Sequence, residues 1–292
     1  MSPVVDQTAD RYAPSRGIPW AALGWFAALL ALCYWPVLVR LVTQWNNDDD
    51  MGHGFFVPIL AAYIAWQKRD EFFAEPARPN WWGLAVVIYA GVQLCVATLG
   101  AELFLARTAI VLSIIGATWF LGGTKRLRIM AFPLLLLFFM VPIPAIIYNQ
   151  ITFPLQLLAS RSAEWALMFL GIPVLREGNV LELAGQKLSV VEACSGIRSL
   201  LSLSFLSLVY GYFFERKTWI RVVLFVATVP IAMLANAGRV TLTGILSDYK
   251  PELAHGFFHS AEGWVIFMVA LALLAVFHQI VTRIDQVIHA ER

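Results

Sequence analysis

The feature that most constrains this chain is a succession of apolar runs, most of them long enough to cross a bilayer, separated by short charged loops. A spanning helix needs about 20 apolar residues, with a range of roughly 17–25. Lipid offers peptide groups no hydrogen bonds, so a spanning segment is either a helix or part of a closed barrel. The runs lack the period-two alternation of strands, which leaves helices. They fall at 18–42, 55–66, 81–99, 103–121, 129–148, 195–214, 219–246 and 257–281. The run at 55–66 is short and must borrow from 52–54 or from the stems of Gln67 and Lys68. Composition agrees: 60% of the 292 residues are hydrophobic and 14% charged, with mean hydropathy +0.72. A soluble domain carries about 45–50% and about 25%. A net charge of +2 points to no nucleic acid partner. The polar start (Asp6, Asp10, Arg11, Arg16) and the long, aromatic first run do not read as a cleavable signal peptide.

Loop charges set the orientation. Lys68, Arg69 and Arg78 follow the second run, Lys125, Arg126 and Arg128 the fourth, and Arg216, Lys217 and Arg221 the sixth. The alternate loops carry Asp48, Asp49, Asp50, Glu102, Asp248 and Glu252. With the basic loops cytoplasmic, both termini are inside, 1–17 and 283–292 being tails to a membrane domain at 18–282. The stretch 154–171 is apolar but holds Arg161 and Glu164, and a ninth span there would put Glu215, Arg216 and Lys217 outside. It therefore reads as an amphipathic helix in or dipping into the outer interface. After it, Val180, Leu181 and Leu183, then Ala184-Gly185-Gln186, then Leu188, Val190 and Val191 read as two short strands about a turn. The expected fold is an all-α integral membrane protein of eight transmembrane helices. An interfacial helix and a short extracytoplasmic β-hairpin, both within 149–194, precede the sixth.

Chemistry concentrates at three outer helix ends. Cys33 and Cys95 lie inside apolar runs, where cysteine behaves as a small hydrophobe. Cys194 lies at the start of the sixth span, between Glu192 and Ser195-Gly196, with no other cysteine in an outer loop. Such a thiol is either incidental or a nucleophile. Asn236 and Arg239, three apart, share one face near the outer end of the seventh span. An arginine in an apolar span either faces the protein interior and a partner or snorkels to the headgroups. Arg198, one turn beyond Cys194, poses the same alternative. His255 and His259 open the eighth span, and either could be a plain interfacial histidine. Their spacing suits a metal, but Gly256 stands where a zincin has glutamate. No third ligand is evident, so neither metal nor cofactor is expected. His53, beside the three aspartates, is another outer polar group, for substrate recognition or for starting the helix. Thiol, arginine and histidine thus reach one membrane level, as nucleophile, oxyanion support and acid/base would. No G-x-S-x-G, Walker or G-x-G-x-x-G sequence and no paired intramembrane aspartates occur.

The residues carrying this constellation resemble the exosortases, bacterial inner-membrane enzymes paired with exported proteins that bear a PEP-CTERM sorting tail. The matching stretches are GHGFFVPIL near Gly52, FPLLLLFFMVPIPA near Phe132, GIPVLREGNVLEL near Gly171, VEACSGIRSLLSL at Val191, ANAGRVTLTG at Ala235 and HGFFHSAEGW at His255. The resemblance implies eight helices and a catalytic set of Cys194, Arg239 and His259. His259 is preferred to His255, while Ser195, Arg198, Asn236, His255 and His53 support or bind substrate. It also implies a periplasmic active site and a substrate with a Pro-Glu-Pro-like motif, an apolar helix and a basic end. That substrate would be cut through a Cys thioester and passed to an acceptor. Membrane lipid and exopolysaccharide machinery are the other implied partners.

Two other classes remain open: a multi-pass transporter lined by Arg239, Asn236 and His259, and a non-catalytic subunit of a polysaccharide export system. The first predicts a polar path through the bilayer, yet the inner halves of the last three spans are almost wholly apolar.

Overall fold

The computed structural model describes residues 20–183, 186–190, 196–249 and 257–290. They form two compact units, Met1–Gln44 with Phe55–Val141, and Trp45–Gly54 with Pro142–Arg292. Among the described residues, four helices are long and apolar enough to cross a membrane, or up to six if each of two bent helix pairs is one span.

In the first unit, α1 (Trp20–Cys33) and α2 (Trp35–Asn47) meet at Tyr34 with a bend of 78°. Pro36 has no N–H to continue the ladder. Tyr34 is buried, and its hydroxyl lies 2.7 Å from Ser113 Oγ, so the corner is pinned to a later helix. The run expected to span at 18–42 is therefore two helices. α3 (Phe56–Gln67) has 12 residues, about 18 Å of rise, and does not span a ~30 Å hydrocarbon core alone. The short α4 (Arg69–Ala74) follows.

α5 (Trp81–Leu99) and α6 (Leu103–Ile129) are the tightest pair of this unit. Small residues let membrane helices approach closely. A Cβ on Gly83 would strike the Phe120 backbone, and one on Gly116 would sit 2.9 Å from Val87 N. α6 kinks at Gly123, whose φ of +83 and proximity to the Arg78 carbonyl both exclude a side chain. Beyond the kink, Arg126 Nε and Nη2 donate to Glu75 O at 2.9 and 2.7 Å, and Lys125 pairs with Glu75 at 3.0 Å. The two basic loops of this unit thus meet.

α7 (Ala131–Leu136) runs into a 3-10 turn, Leu137–Met140. The expected span at 129–148 stops there because Pro142 and Pro144 break the helical ladder. The second unit takes up the chain with α8 (Ala145–Phe169). Residues 154–171, expected as an amphipathic helix in the interface, are the later part of α8 and its end.

α9 (Gly196–Phe214), α10 (Thr218–Tyr249) and α11 (Phe257–Ala290) complete the second unit. α9 and α10 are antiparallel: Ser204 Oγ lies 3.2 Å from Thr228 Oγ1, and a Cβ on Gly211 would lie 3.4 Å from Arg221 Cγ. Leu203, Leu224, Ala227, Ile231, Ala235, Ala270 and Leu274 form their shared core. α8 runs parallel to α10, since Leu155 lies near Ala232 and Asn236, while Leu167 packs on Gly244. It is laid along a spanning helix rather than across the bundle. Between α8 and α9 stands an antiparallel sheet, β1 (Val174–Glu177), β2 (Val180–Leu183) and β3 (Gln186–Ser189), in the order β1-β2-β3. Gly178, at φ +65, takes the first central position of the β1–β2 turn, where a two-residue hairpin favours glycine. Leu181, Leu183, Leu188 and Val190 bury against Ala159, Ala163 and Leu167 of α8. The third strand, β1, extends the two read from the sequence.

A polar latch closes the end of the bundle where α9 meets α10. Glu215 accepts from the N–H groups of Lys217 and Arg216 at 2.8 and 2.7 Å. His278 Nε2 lies 3.2 Å from Glu215 Oε2, and its Nδ1 is 2.9 Å from Tyr210 Oη. Lys217 pairs with Asp285 on the last turns of α11. Burial pushes the Glu215 carboxyl up, but the Lys217 N–H, the His278 ring and the Arg216 N–H outweigh it and hold the pKa below the ordinary 4.5.

Two outcomes follow. Gly83→Leu is expected to cost about 1–3 kcal/mol through overpacking, read as a lower thermal midpoint in detergent. Gly91→Ala, which meets open space, leaves the midpoint unchanged. Because folding depresses the Glu215 pKa, its contribution is complete above the ordinary value and is lost as pH falls through the lower folded-state value. Glu215→Gln should therefore lower the midpoint at about pH 7, and the gap from wild type should narrow as pH falls below the ordinary carboxylate value and close beneath the lower folded-state value. A gap that does not change with pH would contradict this.

Candidate functional site

The register of α9 against α10 sets the level of Asn236: the antiparallel pairing at Ser204–Thr228 continues to Leu200, which lines one small cavity with Ala232, Met233 and Asn236. On the other side of α10, the core pair Ala232 and Ala270 leads, two turns on, to Arg239 beside Gly263. The apolar core ends here and the polar residues begin.

Arg239 is half-buried, and its guanidinium lies flat against α11. A Cβ on Gly263 would come within 3.3 Å of Nη2, 3.4 Å of Cζ and 3.6 Å of Nη1. Its head faces the next helix at Gly263. Gly263 provides the seat because it has no side chain. The His259 backbone lies in α11 exactly one helical step of four residues before Gly263, so the two positions share a face. The His259 side chain is outside the described residues. Asn236 is buried and, with Leu155, Leu200 and Met233, lines a small cavity on the α8 side of the same turn.

His53 comes into the same unit from far away in the chain. It lies in a 3-10 segment, Asp49–Phe55, held by the Trp45 indole, which lies so close over Gly54 that a Cβ there would meet Nε1 at 2.5 Å. His53 Nδ1 is 3.5 Å from Ser202 Oγ of α9, and its ring is tilted over Phe205 at 6.3 Å. Ser202 is one turn past Arg198 on α9. The His53 segment therefore packs on the helix that leads out from Cys194, which the sequence alone did not indicate.

Cys194, Ser195 and His255 lie outside the described residues, as does the Arg198 side chain. No group of three or more His, Cys, Asp or Glu side chains suited to a metal occurs among the described residues. An open groove of about 800 Å³ runs between α8 and α10, lined by Leu158, Arg161, Trp165, Gly238, Thr241 and Ile245. It occupies a different face of α10 from Arg239.

Two features were missed from sequence. One is the Gly263 seat beneath Arg239, which carries no signal of its own. The Tyr210–His278–Glu215 latch did carry one: a histidine within an apolar span implies a polar partner.

These elements define a multi-pass helical membrane protein whose polar residues gather where the ends of three packed helices meet. The chain belongs to the transmembrane exosortase family, whose model matches residues 45–276. This family is generally one of proteases and transpeptidases acting on sorting-signal substrates. No curated protein and no solved structure matches the chain.

The seat of Arg239 generates an expected outcome. Gly263→Val should displace the guanidinium and reduce whatever activity depends on it by about the 10²–10³-fold typical of a lost oxyanion donor. Substrate turnover at unchanged protein yield is the measurement. Wild-type turnover in Gly263→Val would show that the seat is not needed.

Proposed function

We propose that this chain is a cysteine-dependent membrane peptidase or transpeptidase that cleaves the C-terminal PEP-CTERM tail of exported proteins. The observation that carries this reading is the Arg239 guanidinium seated on Gly263, one turn from His259. It lies at the level where α9 begins, two residues after Cys194. Two residues of chain reach no farther than about 7 Å, which tethers the thiol to this end of the bundle.

In the reaction, the Cys194 thiolate attacks the scissile carbonyl, a C–S bond forms, and the negative charge moves to the carbonyl oxygen. A cation next to a thiol favours the thiolate, and Arg239 is that cation. A guanidinium keeps its proton at any physiological pH, so its role is to stabilise the oxyanion rather than to donate a proton. Collapse of the tetrahedral adduct breaks the C–N bond, and the leaving amine takes a proton from imidazolium at His259. The resulting thioester is attacked by water or by an acceptor nucleophile. His259 takes the attacking group's proton, and the thiolate is released. Asn236, Ser195 and Arg198 line or support the site, and His255 and His53 contribute to binding the substrate. No cofactor is required.

The proposal extends to placement. The basic loops at 68–78, 125–128 and 216–221 are cytoplasmic, as are the tails at 1–17 and 283–292. The active site is on the periplasmic face of a bacterial inner membrane, with the sheet at 174–189 on its outer side and the membrane domain at 18–282. Exopolysaccharide machinery is the associated system.

The test is co-expression with a PEP-CTERM-tailed protein, following the size of that protein. Processing should be abolished by Cys194→Ala and retained in a Cys33→Ala, Cys95→Ala double variant. Processing that survives Cys194→Ala would overturn the thiol mechanism.

A further inference from the structure

The three-stranded sheet has two edges, and they differ. β1 packs on α8, with Arg176 Nε donating to Glu164 at 2.8 Å. β3 is the other edge. Among the described residues, no chain pairs with its far side.

The hydrogen-bond parity of β3 follows from one contact. Val190 N donates to Asn179 O at 2.9 Å, in register with the β2–β3 pairing. In an antiparallel ladder, hydrogen-bonded and non-hydrogen-bonded pairs alternate. Leu188–Leu181 and Gln186–Leu183 are therefore the bonded pairs, and Lys187–Glu182 and Ser189–Val180 are not. The N–H and C=O groups of Lys187 and the N–H of Ser189 consequently point away from β2; the Ser189 carbonyl is taken up at the N-cap of the helix that begins at Val190. Lys187 is exposed and Ser189 only half-buried, so these groups are within reach of a partner.

Two donors and one acceptor along an extended strand fit one kind of partner, another extended backbone. Unpaired edges invite indiscriminate pairing, and a charged residue on the strand restrains it. Lys187 supplies that charge, paired across the ladder with Glu182. The strand also leads to the proposed nucleophile. Ser189 precedes Cys194 by five residues, at most about 17 Å of chain. A peptide laid along this edge is held close to the thiol.

We propose that the outward edge of β3 binds the substrate by strand addition. Lys187 and Ser189 pair through their main-chain groups with the extended segment of the exported protein that flanks its scissile bond. This rests on the reading of Cys194 as the nucleophile for such a substrate. It adds where the peptide is gripped and in what conformation.

Disulfide trapping tests the edge without requiring turnover. The full-length chain carries Lys187→Cys in a Cys33→Ala, Cys95→Ala, Cys194→Ala background. It is co-expressed in its membrane with tailed substrates bearing single cysteines at successive positions around the cleavage region. The expected result is cross-linking whose yield alternates with a period of two along the substrate. Yields that do not alternate, no cross-link, or a cross-link to a second copy of this chain would overturn the proposal. In the enzyme with Cys194 intact, Ser189→Pro removes one outward N–H while leaving the β2 ladder whole, and should slow processing about tenfold. Ser189→Ala keeps the N–H and should process at the wild-type rate. Wild-type processing by Ser189→Pro would also overturn strand addition. Processing that persists in Cys194→Ala would instead remove the thiol mechanism, and the cross-linking pattern would still report on the edge.

Discussion

Lipid cannot hydrogen-bond to a peptide group, and this constraint shapes the rest of the structure. It commits nearly every apolar stretch to helix and makes packing a matter of how closely helical backbones approach. Glycine therefore matters most where two helices touch, as at Gly83 and Gly116 between α5 and α6, and at Gly263 beneath Arg239. The same constraint bears on the one element that is not helical. Among the described residues, the outer edge of β3 has no strand paired to it, while the apolar side of the sheet is sealed by Ala159, Ala163 and Leu167 of α8.

The second unit is built with its two kinds of polar group at opposite ends. Between them the α9–α11 core is apolar, running from Leu224 and Leu274 to Ala235. At one end the Glu215–His278–Tyr210 cluster, with Lys217–Asp285, ties helix ends and a loop together through hydrogen bonds and ion pairs. At the other end Arg239 and Asn236 lie beside the start of α9. The first end is occupied by mutual satisfaction: Glu215 accepts two N–H donors and meets the ring of His278. That arrangement suits a structural clasp. The second end lies where the chain enters α9 and α11.

Much of this was legible in the sequence, for identifiable reasons. The spans at 81–99, 103–121, 219–246 and 257–281 correspond to α5, α6, α10 and α11, because long apolar runs without internal breaks leave no other solution. The runs at 18–42 and 129–148 failed as single helices where prolines interrupt an apolar stretch that hydropathy alone reads as continuous. The interfacial reading of 154–171 rested on Arg161 and Glu164. Glu164 of α8 turns out to pair with Arg176 of β1, a contact between elements that no local pattern encodes. In the site, Arg239 was found from its cost in an apolar span. Its glycine seat and the packing of His53 on α9 were not, because both depend on which helices become neighbours.

Packing and register bear on how the geometry at the Arg239 end of the bundle is held. Arg239 meets α11 through a van der Waals seat, and α9 reaches the level of Asn236 through register, set two turns away by Ser204–Thr228. Rigid helices transmit such a register without loss, since a helix packed along its length can slide only by whole turns or by repacking every knob in the core. The small residues Ala227, Ala232, Ala235 and Ala270 bring the backbones close and leave few alternative packings. A site placed this way is ordered by the core beneath it. The hydrogen-bonded clasp at the far end and the apolar core together hold the helix ends in place, so that the chemistry need not.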